Sequence, residues 1–313
     1  MRKIYLITAI MLFSTILSAQ KATQAELNAS KIIDMTNSVV DLYNDYLRQL
    51  KKGREGLEKA ENNIETLKEN INRSAYSFNC NSIIIRSDYI EKYEKAGKAA
   101  PIFPEKTKIQ AEIKYIQSNN NRLAEHCSAL NNYFTKKEYK EDEGFAKYQP
   151  LYDSLYNAYK DLSASWSRAV NLSSEAGDRS ELILLKKSPI AEFIIPMKTD
   201  LSAASKILEK FSEEEVDYET IVKDIDALKQ DIEKHKSLTG KNVANLEKNS
   251  SKANYGGFYS SMEEFVNIAT TLEELMNPAK PYDKDSYRED RMNNNYSMLR
   301  EKYNSLISSY NLM

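Results

Sequence analysis

Lys31 to Ile71 reads KIIDMTNSVVDLYNDYLRQLKKGREGLEKAENNIETLKENI. Taking every third or fourth residue gives Ile32, Thr36, Val39, Tyr43, Tyr46, Leu50, Gly53, Leu57, Ala60, Ile64, Leu67 and Ile71. The steps alternate four and three without a break, which is the heptad seam of one long helix. At 1.5 Å per residue such a helix is about 60 Å long. A stripe of that length is buried only against equally extended partners, so the rest of the chain is expected to supply them. Gly53 and Gly56 stand inside the helix and cost it about 1 kcal/mol each relative to alanine, so a local bend is expected there.

Working outward, the same period recurs. Ser74 to Ser82 is a break, and a short helix from about Ile83 to Ala96 ends at Gly97. Pro101 and Pro104 make the next corner. A second long helix, about Glu105 to Lys137, carries Ile109, Ile113, Ile116, Asn120, Leu123, Cys127, Leu130 and Phe134 on its seam. A third starts near Pro150, a residue tolerated in a first helical turn, follows Tyr152, Leu155, Tyr159, Leu162, Trp166 and Ala169, and stops near Gly177. Ser188-Pro189 opens a helix through Ile190, Ile194, Met197, Leu201, Ala204, Leu208 and Phe211, kinked at Pro196. Ser212 with Glu215 has the capping-box spacing for the next one, which carries Ile221, Ile225, Leu228, Ile232 and His235. Lys241 to Gly257 reads as a polar loop. The last two helices hold Phe258, Met262, Phe265, Ala269, Leu272 and Met276, then Met292, Tyr296, Leu299, Tyr303, Leu306 and Tyr310. Nothing reads at period two. The expected fold is all-α: an elongated antiparallel helical bundle of about seven helices with coiled-coil-like seams, kept as a single domain over 20–313 because its corners are short.

Composition agrees. The chain has 313 residues with only 8 glycines and 7 prolines, against 21 tyrosines, which favours helix over a turn-rich β fold. Formal net charge is −2, too weak a field to draw nucleic acid or anionic lipid.

Residues 1–19 read as a signal peptide. Arg2 and Lys3 form a positive start, and Ile4 to Leu17 is an apolar run of 14 residues, too short to span a bilayer. Cleavage is expected before Gln20. Leu17-Ser18-Ala19-Gln20 has the outline of a lipoprotein box with glutamine where the acylated cysteine would stand, so the expected location is periplasmic or secreted without a lipid tether. No later segment approaches a membrane-spanning length.

Asn37-Ser38-Val39-Val40-Asp41-Leu42-Tyr43-Asn44 near the start is echoed by Asn304-Ser305-Leu306-Ile307-Ser308-Ser309-Tyr310-Asn311 at the end. With the tyrosine-rich middle, these stretches give a chain that resembles the YiiG-like family, bacterial envelope proteins of uncharacterised function. The resemblance covers roughly Ser30 to Leu312. It implies a helical fold and an envelope location, and it implies no activity.

Motifs that carry chemistry are sparse. The two histidines, His126 and His235, belong to no His-Glu-x-x-His pair. His235 continues an apolar seam and reads as a core histidine. Cys80 and Cys127 lack Cys-x-x-Cys spacing; in an exported chain two cysteines suit a disulfide, the alternative being two separate thiols with Cys127 as a small buried apolar residue. There is no Gly-x-Ser-x-Gly and no phosphate-cradling glycine loop. Asp283-Lys284-Asp285 has the first two ligands of a calcium loop without the third or the glycine, and is expected to cap a helix. No catalytic, cofactor or metal residue is therefore expected. Tyr255, Tyr259, Tyr282 and Tyr287 cluster around the late loops, and because tyrosine offers rigid area plus a hydrogen bond they form a candidate binding surface. The expected function is a non-enzymatic binding protein for an unknown protein or small ligand of the envelope. The alternatives are an enzyme with carboxylates or tyrosines converging between helices, or a membrane-active protein inserting Leu182 to Met197.

Overall fold

The computed structural model describes residues 22–80, 86–213, 215–237, 246–247, 252–277 and 287–313. Among them are eight helices and no strand: α1 Gln24–Glu69, α2 Ser87–Ala99, α3 Lys106–Thr135, α4 Tyr148–Leu185, α5 Ala191–Lys210, α6 Tyr218–Lys236, α7 Lys252–Met276 and α8 Arg288–Tyr310. Two 3₁₀ turns, Glu138–Lys140 and Glu143–Phe145, lie between α3 and α4. The all-α expectation holds. The expected leader, Gln20, Tyr282 and Asp283 to Asp285 lie outside the described residues. The chain divides into two compact units, Leu27–Gly177 and Asp178–Met313 with the residues up to Glu26, a finer division than one domain.

In Leu27–Gly177 the seam residues of α1, α3 and α4 face one another. Gly53 lies against Leu123 and Tyr159, and Gly56 against Cys127. These glycines do not break α1, which is helical from Gln24 to Glu69. A Cβ on Gly53 would stand 3.1 Å from both Leu123 methyls and 3.3 Å from the Tyr159 ring. Close approach of neighbouring helices accounts for the residue. The chain's one tryptophan, Trp166, is 1% exposed, with the rings of Tyr43 and Tyr46 at 5.5 and 4.9 Å.

After a turn at 70–73, residues 74–80 run along this unit as a strap without regular secondary structure. Asn63 on α1 holds the Tyr76 backbone at both ends: its Oδ1 accepts from the Tyr76 N–H at 2.8 Å, and its Nδ2 donates to the Tyr76 carbonyl at 2.8 Å. The Phe78 N–H donates to Asn131 Oδ1 at 3.0 Å. Cys80 is bonded to Cys127, with Cα atoms 5.4 Å apart. Side-chain amides thus meet backbone groups that a sheet would otherwise pair.

In the other unit α5 to α8 form an up-down-up-down ring. Lys210 of α5 meets Asp224 of α6, and Lys236 of α6 meets Glu263 of α7. Lys302 of α8 meets Glu264 of α7, and the Arg288 Nε donates to the Leu275 carbonyl at 2.8 Å. Lys198 of α5 stands 5.7 Å from the Tyr310 ring of α8, which closes the ring of helices. Phe193, Ile194, Met197, Ile207, Ile221, Phe258, Met262, Phe265, Leu272, Leu299 and Leu306 fill the centre, all under 2% exposed. Leu185, Ile190, Phe193, Ile194 and Met197, from the apolar stretch Leu182 to Met197, are buried in this core.

Several boundaries differ from the sequence reading. α4 continues through Gly177 to Leu185. Gly97 lies inside α2, and α5 starts at Ala191, after Ser188 Oγ has accepted from the Ile190 N–H. Asp217, not Ser212, caps α6, accepting from the Thr220 N–H at 3.0 Å. Ser212 turns its hydroxyl back to the Glu209 carbonyl. Gly256 and Gly257 belong to α7, where their exposed positions need no special backbone conformation.

Candidate functional site

Helix α5 carries two buried charges of opposite sign two residues apart, Lys198 and Asp200, 7% and 1% exposed. Two residues turn a helix by about 200°, so the pair serves opposite sides. Asp200 is three residues after Met197 and four before Ala204, which is seam spacing. Helical geometry therefore carries this carboxylate inside whatever its polarity.

On the Asp200 side, the Oδ2 accepts from His235 Nδ1 at 2.8 Å and from the Tyr259 hydroxyl at 2.9 Å. The Tyr255 hydroxyl donates to the His235 carbonyl at 2.6 Å. The rings of Tyr255 and Tyr259 pack edge to face, centroids 4.9 Å apart. Burial pushes the Asp200 carboxyl above the usual carboxylate value, against the opposing pull of its bonds to His235 and Tyr259. Burial, with the Asp200 charge beside it, also drives the Tyr259 phenol far above the usual value, and it pushes Tyr255 up to about 12. The second oxygen, Asp200 Oδ1, is buried without a hydrogen-bond partner among the described residues.

On the other side, Lys198 Nζ meets Asp178 Oδ1 at 2.7 Å and Glu181 Oε2 at 2.8 Å. The remaining oxygens take hydroxyls. Ser202 donates to Asp178 Oδ2 and Tyr310 to Glu181 Oε1, each at 2.7 Å. One ammonium therefore faces two carboxylates, and two hydroxyl donors satisfy what it leaves over. Burial pulls the Lys198 ammonium down, but the charges and hydrogen bonds of Asp178 and Glu181 together outweigh it and hold its pKa above the usual lysine value. Burial drives the Tyr310 phenol up, and the Glu181 charge adds to it.

These states limit the chemistry. An ammonium held protonated is neither a general base nor a Schiff-base nucleophile. The tyrosines stay protonated and donate. Both groups act as locks that fix the register of α5 against α4, α6, α7 and α8.

The candidate tyrosines fare unequally. Tyr255 and Tyr259 are 7% and 2% exposed, so they are not a binding surface. They lie one helical turn apart on α7, and the same spacing that suits an exposed pair turns both into the core, where their hydroxyls find partners. Tyr287 is 66% exposed and stands apart from them at the start of α8. His235 is a core histidine, as the seam implies, but its partner Asp200 was missed. Lys198, Glu181 and Tyr310 were missed as a set because 129 residues separate the last two. A charged residue at a seam-flanking position of α5 was the only local signal.

The chain matches no family model and no curated protein. It is similar to an alpha helical protein of known structure from Bacteroides fragilis, 14% identical, with a TM-score of 0.53 over 89% of this chain and 99% of that one. It is also similar to an uncharacterized DUF3829-like protein from Bacteroides thetaiotaomicron, 18% identical, with a TM-score of 0.49 over 92% of this chain and 100% of that one. The first likeness is one of fold.

Proposed function

We propose that the chain is a non-enzymatic ligand- or partner-binding protein of the bacterial envelope, exported by the leader read in residues 1–19. Tyr76 carries the binding half of this reading. Its ring is 73% exposed while both its backbone groups are tied to Asn63. A large aromatic face presented on a fixed backbone loses little entropy on binding. The location rests on the charged start, the short apolar run and the small residue before Gln20, together with the resemblance to YiiG-like envelope proteins. No helix of the described residues is long and apolar enough to cross a membrane. The test is native mass spectrometry of the protein purified gently from a bacterial envelope, beside Tyr76→Ala. A co-purifying mass that the variant loses supports the reading. A protein absent from the envelope fraction, or a bare monomer from both forms with no partner on crosslinking, overturns it.

A second reading, an enzyme with an interhelical carboxylate and tyrosine site, is favoured by Asp200 Oδ1, a buried carboxylate oxygen beside a histidine and without a partner among the described residues. Buried unsatisfied oxygens are rare in folded proteins. Turnover of any member of a hydrolase substrate panel that Asp200→Asn abolishes, with the fold intact, establishes this reading over the first.

A further inference from the structure

Three tyrosines of α4 lie at four-residue spacing, Tyr148, Tyr152 and Tyr156. Their ring centroids are 5.7 and 6.3 Å apart, and the last two rings are parallel to within 11°. The ladder begins in the core, where Tyr148 packs on Phe134 at 6.1 Å and on Tyr133 at 6.5 Å. It ends at the surface, where Tyr156 is 42% exposed.

Three exposed carboxylates flank the ladder. Glu61 of α1 accepts the Tyr152 hydroxyl. Asp153 follows Tyr152 in the chain and accepts from Gln149 Nε2 at 2.8 Å. Glu65 stands one turn beyond Glu61. Burial raises the Tyr148 phenol first of all, and the charges of Glu61, Asp153 and Glu65 raise it further, so all three act on the same ring. Among the described residues no lysine or arginine forms an ion pair with any of them. Elsewhere on α1, Glu55 pairs with Lys51, Glu58 with Arg54 and Glu69 with Arg73.

We propose that the tyrosine ladder Tyr148–Tyr152–Tyr156, with Glu61, Glu65 and Asp153, is a docking surface for an arginine-bearing basic segment of a partner protein. This rests on the reading of the chain as a binding protein and gives its partner a chemistry. The half-exposed ring of Tyr156 offers a flat face on which a planar guanidinium stacks, and flanking carboxylates accept its in-plane N–H groups. Lysine's compact ammonium matches the charge but not the plane. A neutral sugar would stack on the rings yet leave three carboxylates unneutralised.

The test is fluorescence anisotropy of labelled hexa-arginine and hexa-lysine peptides with the full-length protein at two salt concentrations. Hexa-arginine is expected to bind more tightly than hexa-lysine. Tyr156→Ala is expected to weaken hexa-arginine about tenfold, the scale of one partly desolvated cation–π contact. The pair Glu65→Gln with Asp153→Asn, which leaves the Glu61–Tyr152 bond intact, is expected to weaken it comparably and flatten the salt dependence. Neutralising Glu219 and Glu301, exposed acids of α6 and α8, is expected to change nothing. Absence of hexa-arginine binding overturns the proposal. So does equal loss in the ladder and control variants, or binding of a neutral oligosaccharide that Tyr156→Ala abolishes while arginine peptides are ignored. A partner recovered from the envelope that Tyr156→Ala still binds removes the ladder and leaves the broader binding role standing.

Discussion

Gly53→Ala separates helix propensity from helix packing. Propensity alone says that alanine for glycine inside a helix stabilises by about 1 kcal/mol. At Gly53 the new methyl would lie 3.1 Å from both methyls of Leu123 and 3.3 Å from the Tyr159 ring. Leu123 is 3% exposed, and the contacts come from two different helices, so the new methyl is met from two sides at once. Overpacking of that kind costs about 1–3 kcal/mol, which cancels the propensity gain and leaves a net loss of about 1 kcal/mol. Gly257→Ala is the control, because nothing lies within 4 Å of its Cβ and it is exposed in α7; it should gain close to the full 1 kcal/mol. Gly56→Ala falls between, since its new Cβ would stand at an ordinary 3.4 Å from the Cys127 sulfur. Trp166 is the one tryptophan and lies in the same unit as Gly53, so its fluorescence reports that unit's melting. The melting temperature should fall by about 3 °C for Gly53→Ala, while Gly257→Ala raises the midpoint followed by far-ultraviolet circular dichroism. If Gly53→Ala raises the Trp166 midpoint as Gly257→Ala raises its own, close helix approach does not explain Gly53.

Replacing Lys198 by methionine leaves Asp178 and Glu181 without their cation and should cost about 3–5 kcal/mol, read as a lowered urea midpoint by circular dichroism; a change within about 0.5 kcal/mol would mean that solvent already serves the two carboxylates. Because the folded Asp200 pKa is raised, the folded protein holds a proton that the unfolded chain has lost, so stability should decline as pH rises from the ordinary carboxylate value through the raised one. Asp200→Asn should flatten that part of the profile in urea titrations across the acid range, and an unchanged slope would remove Asp200 as its source. Reducing the Cys80–Cys127 bond, which spans 47 residues, should cost about 4 kcal/mol by the chain-entropy relation, seen as a lower Trp166 midpoint in dithiothreitol. A reduced protein that melts where the oxidised one does would mean that Asn63, Asn131 and Phe78 hold the strap without it.

Seams were legible because burial enforces their spacing. Ile109 to Phe134 and Ile221 to His235 are buried at every position read from the sequence. Helix ends were less legible, since they depend on side-chain bonds that compete over a few residues. Asp217 displaced Ser212 as a cap, and Gly177 failed to end α4 because helix on both sides outweighs one glycine. The charged core was the least legible part. Lys198 reads as surface by composition, and it becomes interior only when α4 delivers two carboxylates and α8 delivers a hydroxyl. Tyr255 and Tyr259 carried the opposite error, for proximity to a loop in sequence does not fix which way a helix faces.

The ring of α5 to α8 sets an order of events during synthesis. Each of α5–α6, α6–α7 and α7–α8 is a contact between chain neighbours, so each hairpin can form as soon as its second helix has left the ribosome. The pairing of α5 with α8 is different, because it waits until α6, α7 and α8 have been made. Until Tyr310 arrives, Glu181 lacks its hydroxyl and one flank of Lys198 lies open. The most expensive buried charges of the unit are thus completed by a residue of α8, and a nascent chain interrupted within α8 would carry an open seam with a charge in it, the kind of surface that chaperones and proteases recognise.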